Sequence, residues 1–182
     1  MITTGFKYGN YHSSNFGIVC DPSTRIIFPE KRRMITDIAG RSGHHVHTDG
    51  TYLVRQESFH CYFKKELVGG KSLADSARDI AAWLANDGVL QFDNEPDKYY
   101  DAYVTGALPQ ERHLKYGEFD LVFNYNPPFA YTAMKEVRYT LTASGGSLEA
   151  LMEGTVDTPC RIIIRNTGNT IIRNLRVSRS LT

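Results

Sequence analysis

The chain has 182 residues, with 21 Lys and Arg against 20 Asp and Glu, a formal net charge of +1. That balance supplies no global field to draw the protein onto nucleic acid or a membrane surface. Hydrophobic residues at 41% and charged residues at 23% are ordinary for a folded domain, and the length suffices for one core, or for one domain with a small appendage.

Residues 1–10 lack the basic start and apolar run of a secretory leader. No apolar stretch is long enough to span a bilayer. Synthesis and folding in a cytoplasm are therefore expected. Cys20, Cys61 and Cys160 are far apart and form no CxxC pair, which removes a zinc ribbon or a redox motif. They are read as small, buried or half-buried thiols of a reducing compartment.

In chain order, residues 6–63 read as strands broken by turns, and the 11 Tyr and 9 Phe suit aromatic-rich strands. "FGIVC" (16–20) and "RIIF" (25–28) flank the turn "DPST". "KRRMITDIAG" (31–40) alternates as a strand with one polar flank, and Gly40 and Gly43 bracket a loop. "TYLVRQESFHCYF" (51–63) is a long β-former with Leu53, Phe59, Cys61 and Phe63 on one face, interrupted by Arg55 and Glu57. A helix is predicted over 72–86: Ser72 and Asp75 make a capping box, and Leu73, Ala77, Ile80 and Leu84 form one stripe beside Trp83, read as core. Asn86-Asp87-Gly88 closes it.

"VLQF" (89–92), the turn "DNEPD" and "KYYDAYVTG" (98–106) make a hairpin. "KYGEFDLVFNYN" (115–126) alternates as a half-buried strand that Pro127-Pro128 stops. "EVRYTLTA" (136–143) reads as another strand, "SGGS" (144–147) as a boundary, and 160–179 as a last hairpin around "NTGNT". The tail is too short for a core of its own. The fold class is mainly β, with antiparallel sheets and one α-helix, divided into 1–143 and a C-terminal extension over 144–182.

The search for chemistry starts at "GRSGHHVHTDGTYLVRQ" (40–56), which holds three of the six histidines. On a strand, His45 and His47 would share a face and His44 would point away, with His60 or Asp49 as the third ligand a zinc site needs. Without a helical HExxH or a cysteine pair, the triplet reads as a polar loop tip. No GxSxG frames Ser13, Ser14, Ser42 or Ser58. Asp93, Glu95, Asp97 and Asp101 cluster where a hairpin turn uses them for local backbone donors. There is no GxxxxGK[ST] and no GxGxxG. Arg161, Arg165, Arg173, Arg176 and Arg179 could track a phosphate backbone, but a solvated face or a subunit contact serves as well, and the near-neutral chain weighs against nucleic acid. No catalytic, cofactor-binding or metal residue is assigned, and no enzyme is expected.

Four stretches carry a resemblance. "FKYGNYHSSNFGI" (6–18) resembles the opening of the distal tail proteins of long-tailed, non-contractile bacteriophages. "FPEKRRMITDIAGRSGHH" (28–45), with Tyr52 opening the next strand, is similar to that family's Ile-x-Gly-Arg-x-Gly loop. "IAAWLANDGVLQFDNEPDKYYDAYV" (80–104) looks like its helix, strand, acidic turn and Tyr-Tyr strand, and "GEFDLVFNYNPPFAY" (117–131) like its Gly-x-Phe-x-Leu-x-Phe strand. The order and spacing of the four carry the likeness.

The resemblance implies a β-sandwich or partial barrel with one helix and an extended β-hairpin. It implies a virion component of a phage or prophage, a baseplate hub made in the bacterial host cytoplasm and placed at the tail tip. Family members form a homohexameric ring that joins the major tail (tube) protein above to the tail-associated fibre or lysin protein below and carries receptor-binding proteins. The family places the Gly40–Gly43 loop and its hairpin where subunits meet. "GTVDTPCRIIIRNTGNT" (154–170) resembles the first strands of the galectin-like second domain of some members. The alternative is a small carbohydrate-binding β-sandwich module acting in host recognition.

Overall fold

The computed structural model describes residues 5–21, 25–106, 117–141, 154–156, 158 and 161–173. The chain divides into two units, Met1–Lys135 and Glu136–Thr182. The first unit is built on one antiparallel sheet of seven strands that curls into a half-barrel. Its strands are β1 (Phe6–Tyr8), β2 (Tyr11–His12), β3 (Ile18–Asp21), β6 (Arg55–Phe63), β7 (Gly88–Phe92), β8 (Tyr100–Thr105) and β9 (Glu118–Tyr125), in the order β2-β1-β7-β8-β9-β6-β3. A separate two-stranded sheet pairs β4 (Met34–Asp37) with β5 (His44–His47). The single α-helix among the described residues, α1, runs Leu73–Leu84.

Alternation decides which side of the sheet is dry. Phe119, Leu121, Phe123 and Tyr125 of β9 face inward, and so do Glu57, Phe59, Cys61 and Phe63 of β6, which β9 pairs over eight register positions. The inner face is aromatic. Phe123 meets Phe6 edge-on at 5.5 Å and Tyr8 at 5.6 Å, and Phe59 packs on Phe92 at 5.2 Å. Offset and edge contacts of this kind add to the burial of large rings.

Helix α1 closes one side of the core. Ser72 accepts from the Asp75 backbone N–H at 3.1 Å, the first bond of the capping box, and the Asp75 carboxylate accepts in return from the Ser72 hydroxyl at 2.6 Å, where the box would use the Ser72 backbone N–H. Ala77, Ile80 and Leu84 are buried, whereas Leu73, expected in the same stripe, is exposed in the first turn. Trp83 is core: it stacks on Phe16 at 4.3 Å, and its Nε1–H donates to the Tyr8 carbonyl at 3.0 Å. After the helix the chain turns into β7 at Gly88, where a Cβ would lie 3.2 Å from the Tyr8 ring, a tight contact that the ring would have to yield to.

Several sequence expectations are corrected. "RIIF" is a bend, not a strand, and Ile27 is 99% exposed. The turn before it, residues 22–24, lies outside the described residues. Of the strand expected over 136–143, residues 136–141 are not a strand, with Val137, Tyr139 and Leu141 exposed, and residues 142 and 143 lie outside the described residues. In the tail the turn is present, with Asn166 Oδ1 accepting from Gly168 N at 3.0 Å and Asn166 Nδ2 donating to Thr170 O at 2.8 Å. No strand flanks it among the described residues 161–173, and residues 160 and 174–179 of the expected hairpin lie outside them. The thiol reading of two cysteines is also overturned. Cys20 and Cys61 face each other in the β3–β6 register and form a disulfide with Cα atoms 4.1 Å apart.

Candidate functional site

The feature that the core does not explain is an arm between β3 and β6. Its two sides meet at an isolated bridge between Lys31 and Tyr52, with Arg32 N donating to Thr51 O at 2.9 Å and Leu53 N to Glu30 O at 2.8 Å. Further out, Met34, Ile35, Thr36 and Asp37 stand opposite His47, Val46, His45 and His44. Two residues separate bridge and ladder on one side and four on the other, so the returning strand bulges at Thr48–Thr51. Asp49 stabilises the bulge by accepting from the Thr51 N–H at 2.9 Å and the Thr51 hydroxyl at 2.7 Å. At the tip, Gly40 and Gly43 have φ of 80° and 83°, a region that side chains disfavour.

Every residue of β4 and β5 is exposed. Ile35 pairs with Val46 on one face and Met34 stands on the other, at 60%, 47% and 67% exposure. A lone two-stranded ribbon is marginal in water. One with apolar side chains on both faces has the character of a contact surface.

The arm's roots are fixed more firmly than its tip. Glu57, on β6, is buried, and its Oε1 accepts from Ile26 N at 2.5 Å and Arg55 Nε at 2.9 Å; Arg55 Nη2 also reaches it. Glu57 Oε2 accepts from the Tyr125 hydroxyl at 2.7 Å. Arg25, the first described residue of the arm, pairs with Glu95 at 2.8 Å, hydrogen-bonds the Tyr100 hydroxyl, and lies 4.5 Å above the Phe92 ring. Arg55 covers Tyr125 at 4.9 Å. Both ends of the arm therefore enter one cluster of two arginines, two carboxylates and two tyrosines. Arg55 and Glu57, which break the apolar face of β6 in the sequence, are the buried ion pair of this cluster. Among the described residues no buried side-chain polar atom lacks a partner.

The cluster and the core hold their tyrosines protonated. Burial first, then the Glu57 carboxylate, raises Tyr125; burial first also raises Tyr100. Burial and then Asp87 push Tyr8 up to about 12, and its hydroxyl is shared between the carbonyls of Asn86 at 2.6 Å and Ala102 at 3.1 Å. A folded-state pKa above the unfolded value of about 10 means that the folded protein holds the proton more tightly. The contribution is whole below pH 10 and lost as pH rises toward 12 for Tyr8. Unfolding free energy measured in urea should fall above pH 10 by about 1.4 kcal/mol per pH unit for each such tyrosine. Tyr8→Phe should reduce that slope by one tyrosine.

The residues singled out in the sequence do not converge. His44, His45 and His47 lie on strand β5, not on a loop tip, because the loop closes earlier at Gly43; His44 points toward Asp37 at 3.6 Å. His60 is on β6, with its register partner Asp120 at 2.9 Å. Among the described residues no group of three His, Cys, Asp or Glu side chains is placed to hold a metal ion. Asp93 binds Gly5 N and His12, Asp97 binds Lys98, and Asp101 accepts from the Tyr131 hydroxyl at 2.6 Å. Ser13 is buried and accepts from Phe6 N, Ser14 bonds His12, and Ser42 is exposed. Arg161, Arg165 and Arg173 are exposed in the second unit, while Arg176 and Arg179 fall outside the described residues. No described helix is long and apolar enough to cross a membrane.

Fold and arm together define a class: a mainly β domain whose half-barrel carries one helix and a projecting hairpin. No family model matches the chain, and no curated protein matches it. Among solved structures it is similar to that of SPP1 Dit (gp 19.1), described as a paradigm of the hub adsorption apparatus in phages infecting Gram-positive hosts. The match has a TM-score of 0.54 at 13% identity and covers 71% of this chain and 52% of that one. The chain thus has a Dit-like fold, matched over about half the length of that protein.

Proposed function

We propose that this protein is a structural, non-enzymatic component of a bacteriophage or prophage tail tip, a hub that closes into a homohexameric ring. In the virion the ring would join the tail tube protein to the tail-associated fibre or lysin protein and carry receptor-binding proteins. The likeness of the half-barrel to a phage hub protein carries this reading. The exposed apolar arm supports it. A closed ring gives such an arm a binding face on each neighbour, and cyclic symmetry uses every copy of that face.

Light scattering and negative-stain imaging of the protein over a concentration series test the proposal. The expected result is ring particles with a central hole and a mass near 124 kDa, six times 20.6 kDa. A protein that stays monomeric up to its highest soluble concentration and binds glycans would replace the hub with a carbohydrate-binding module.

A further inference from the structure

We propose that the Cys20–Cys61 pair is a redox latch that fixes the root of the arm. The inference starts from the position of β3. Among the described residues it is the last strand of the sheet and pairs with β6 alone, through four register positions from Ile18–Phe63 to Asp21–His60. A four-residue edge strand with one neighbour is among the least stable parts of a sheet. Yet β3 delivers the chain to Arg25 and Ile26, where the arm begins.

Strand β6 fastens this segment twice from one inward row. Cys61 bonds Cys20 within β3, and Glu57, four residues earlier on the same face, holds the Ile26 N–H. The covalent fastener and the hydrogen-bonded one thus bracket the passage from sheet to arm. Without the first, β3 is held by its short ladder and by the packing of Ile18 in the core, with no covalent tie, and opening of that ladder loosens the arm root up to Ile26.

A reducing compartment keeps such thiols apart, and an oxidising one joins them. Closure needs a two-electron oxidant, which a small-molecule disulfide supplies. One thiolate attacks that disulfide, forms a mixed disulfide and expels one small thiolate. The second cysteine thiolate then attacks the mixed disulfide and expels the other. The two cysteine sulfurs are oxidised, the reagent is reduced to two thiols, and the two cysteine protons end on them. Both cysteines are buried, at 3% and 0% exposure, so exchange in either direction requires β3 to lift first. The disulfide should therefore resist mild reductant in the folded protein.

The latch does not depend on the hub reading, because its test reads the arm root and not assembly. After incubation with oxidised glutathione, peptide mass mapping of the denatured protein should show Cys20 joined to Cys61 with no glutathione on either, whatever the state of Cys160, and full reduction should return three free thiols, from the three cysteines of the chain. Hydrogen exchange should then compare oxidised protein with protein reduced by a phosphine. Amides of 18–21 and 26–35 should exchange at least about 10-fold faster in the reduced form, while those of β7 and β8 stay within about twofold. Cys20→Ala with Cys61→Ala should match the reduced form and ignore oxidant. Cys20 and Cys61 left unjoined after oxidation, equal exchange in both forms, or a faster rate spread evenly over the sheet would each overturn the latch.

Discussion

Replacing Glu57 by Gln is expected to lower the unfolding free energy by about 3–5 kcal/mol. The magnitude follows from burial. The side chains of Arg55 and Glu57 are 8% and 0% exposed, so neither charge can fall back on water. Glutamine keeps the shape and one carbonyl oxygen, but leaves the Arg55 guanidinium without its carboxylate in a cluster that also holds Arg25, whose ion pair is with the half-exposed Glu95. It also turns an amide donor toward the Tyr125 hydroxyl, which now donates to Glu57 Oε2. Denaturant unfolding measures the loss directly, and a change below about 1 kcal/mol would show that the pair is not buried in solution.

A second variant separates charge from geometry. A buried ion pair replaced on both sides by apolar residues often costs little. Arg55→Met with Glu57→Leu should therefore recover much of the stability. It should not recover the arm root, because the Ile26 N–H then has no carboxylate to bind. Faster exchange at Ile26 in a stable double variant is the expected signature, and it assigns Glu57 two separate roles.

Elements whose identity rests on local pattern were legible in the sequence. β9 alternates without interruption, and each inward residue predicted for it is buried. α1 announces itself through the Ser72–Asp75 box, and β7 and β8 through the acidic turn between them. What failed depends on long-range partners. "RIIF" and "EVRYTLTA" have strand composition, but a strand exists only where a neighbour completes its ladder. The histidines fell on a strand because bulge and loop lengths set the arm's register, and neither has a sharp sequence signal. The disulfide joins residues 41 apart across the whole arm, so no spacing rule could reveal it. The root cluster left one trace, the two charges set into the apolar face of β6. Their partners Arg25, Tyr100 and Tyr125 lie on segments distant in sequence.

Converting Ile35 and Val46 together to Ser should weaken self-association by about 10- to 100-fold and leave the monomer's fold intact. The two side chains are cross-strand partners on one face of the arm and are 60% and 47% exposed. If a neighbouring copy covers the roughly half of each side chain that the monomer leaves exposed, each contributes about 0.7–1.8 kcal/mol, and losing both removes about 1.5–3 kcal/mol from each contact, where 1.4 kcal/mol is tenfold. Within the monomer they are surface residues, and such changes usually stay within about 0.5 kcal/mol each. Light scattering should thus show smaller species at concentrations where the unaltered protein assembles, with an unchanged urea midpoint. Unaltered assembly would move the contact off this face of the arm without touching the ring itself. A lowered midpoint would mean that the arm folds back onto its own chain, and that the exposed ribbon is not the form present in solution.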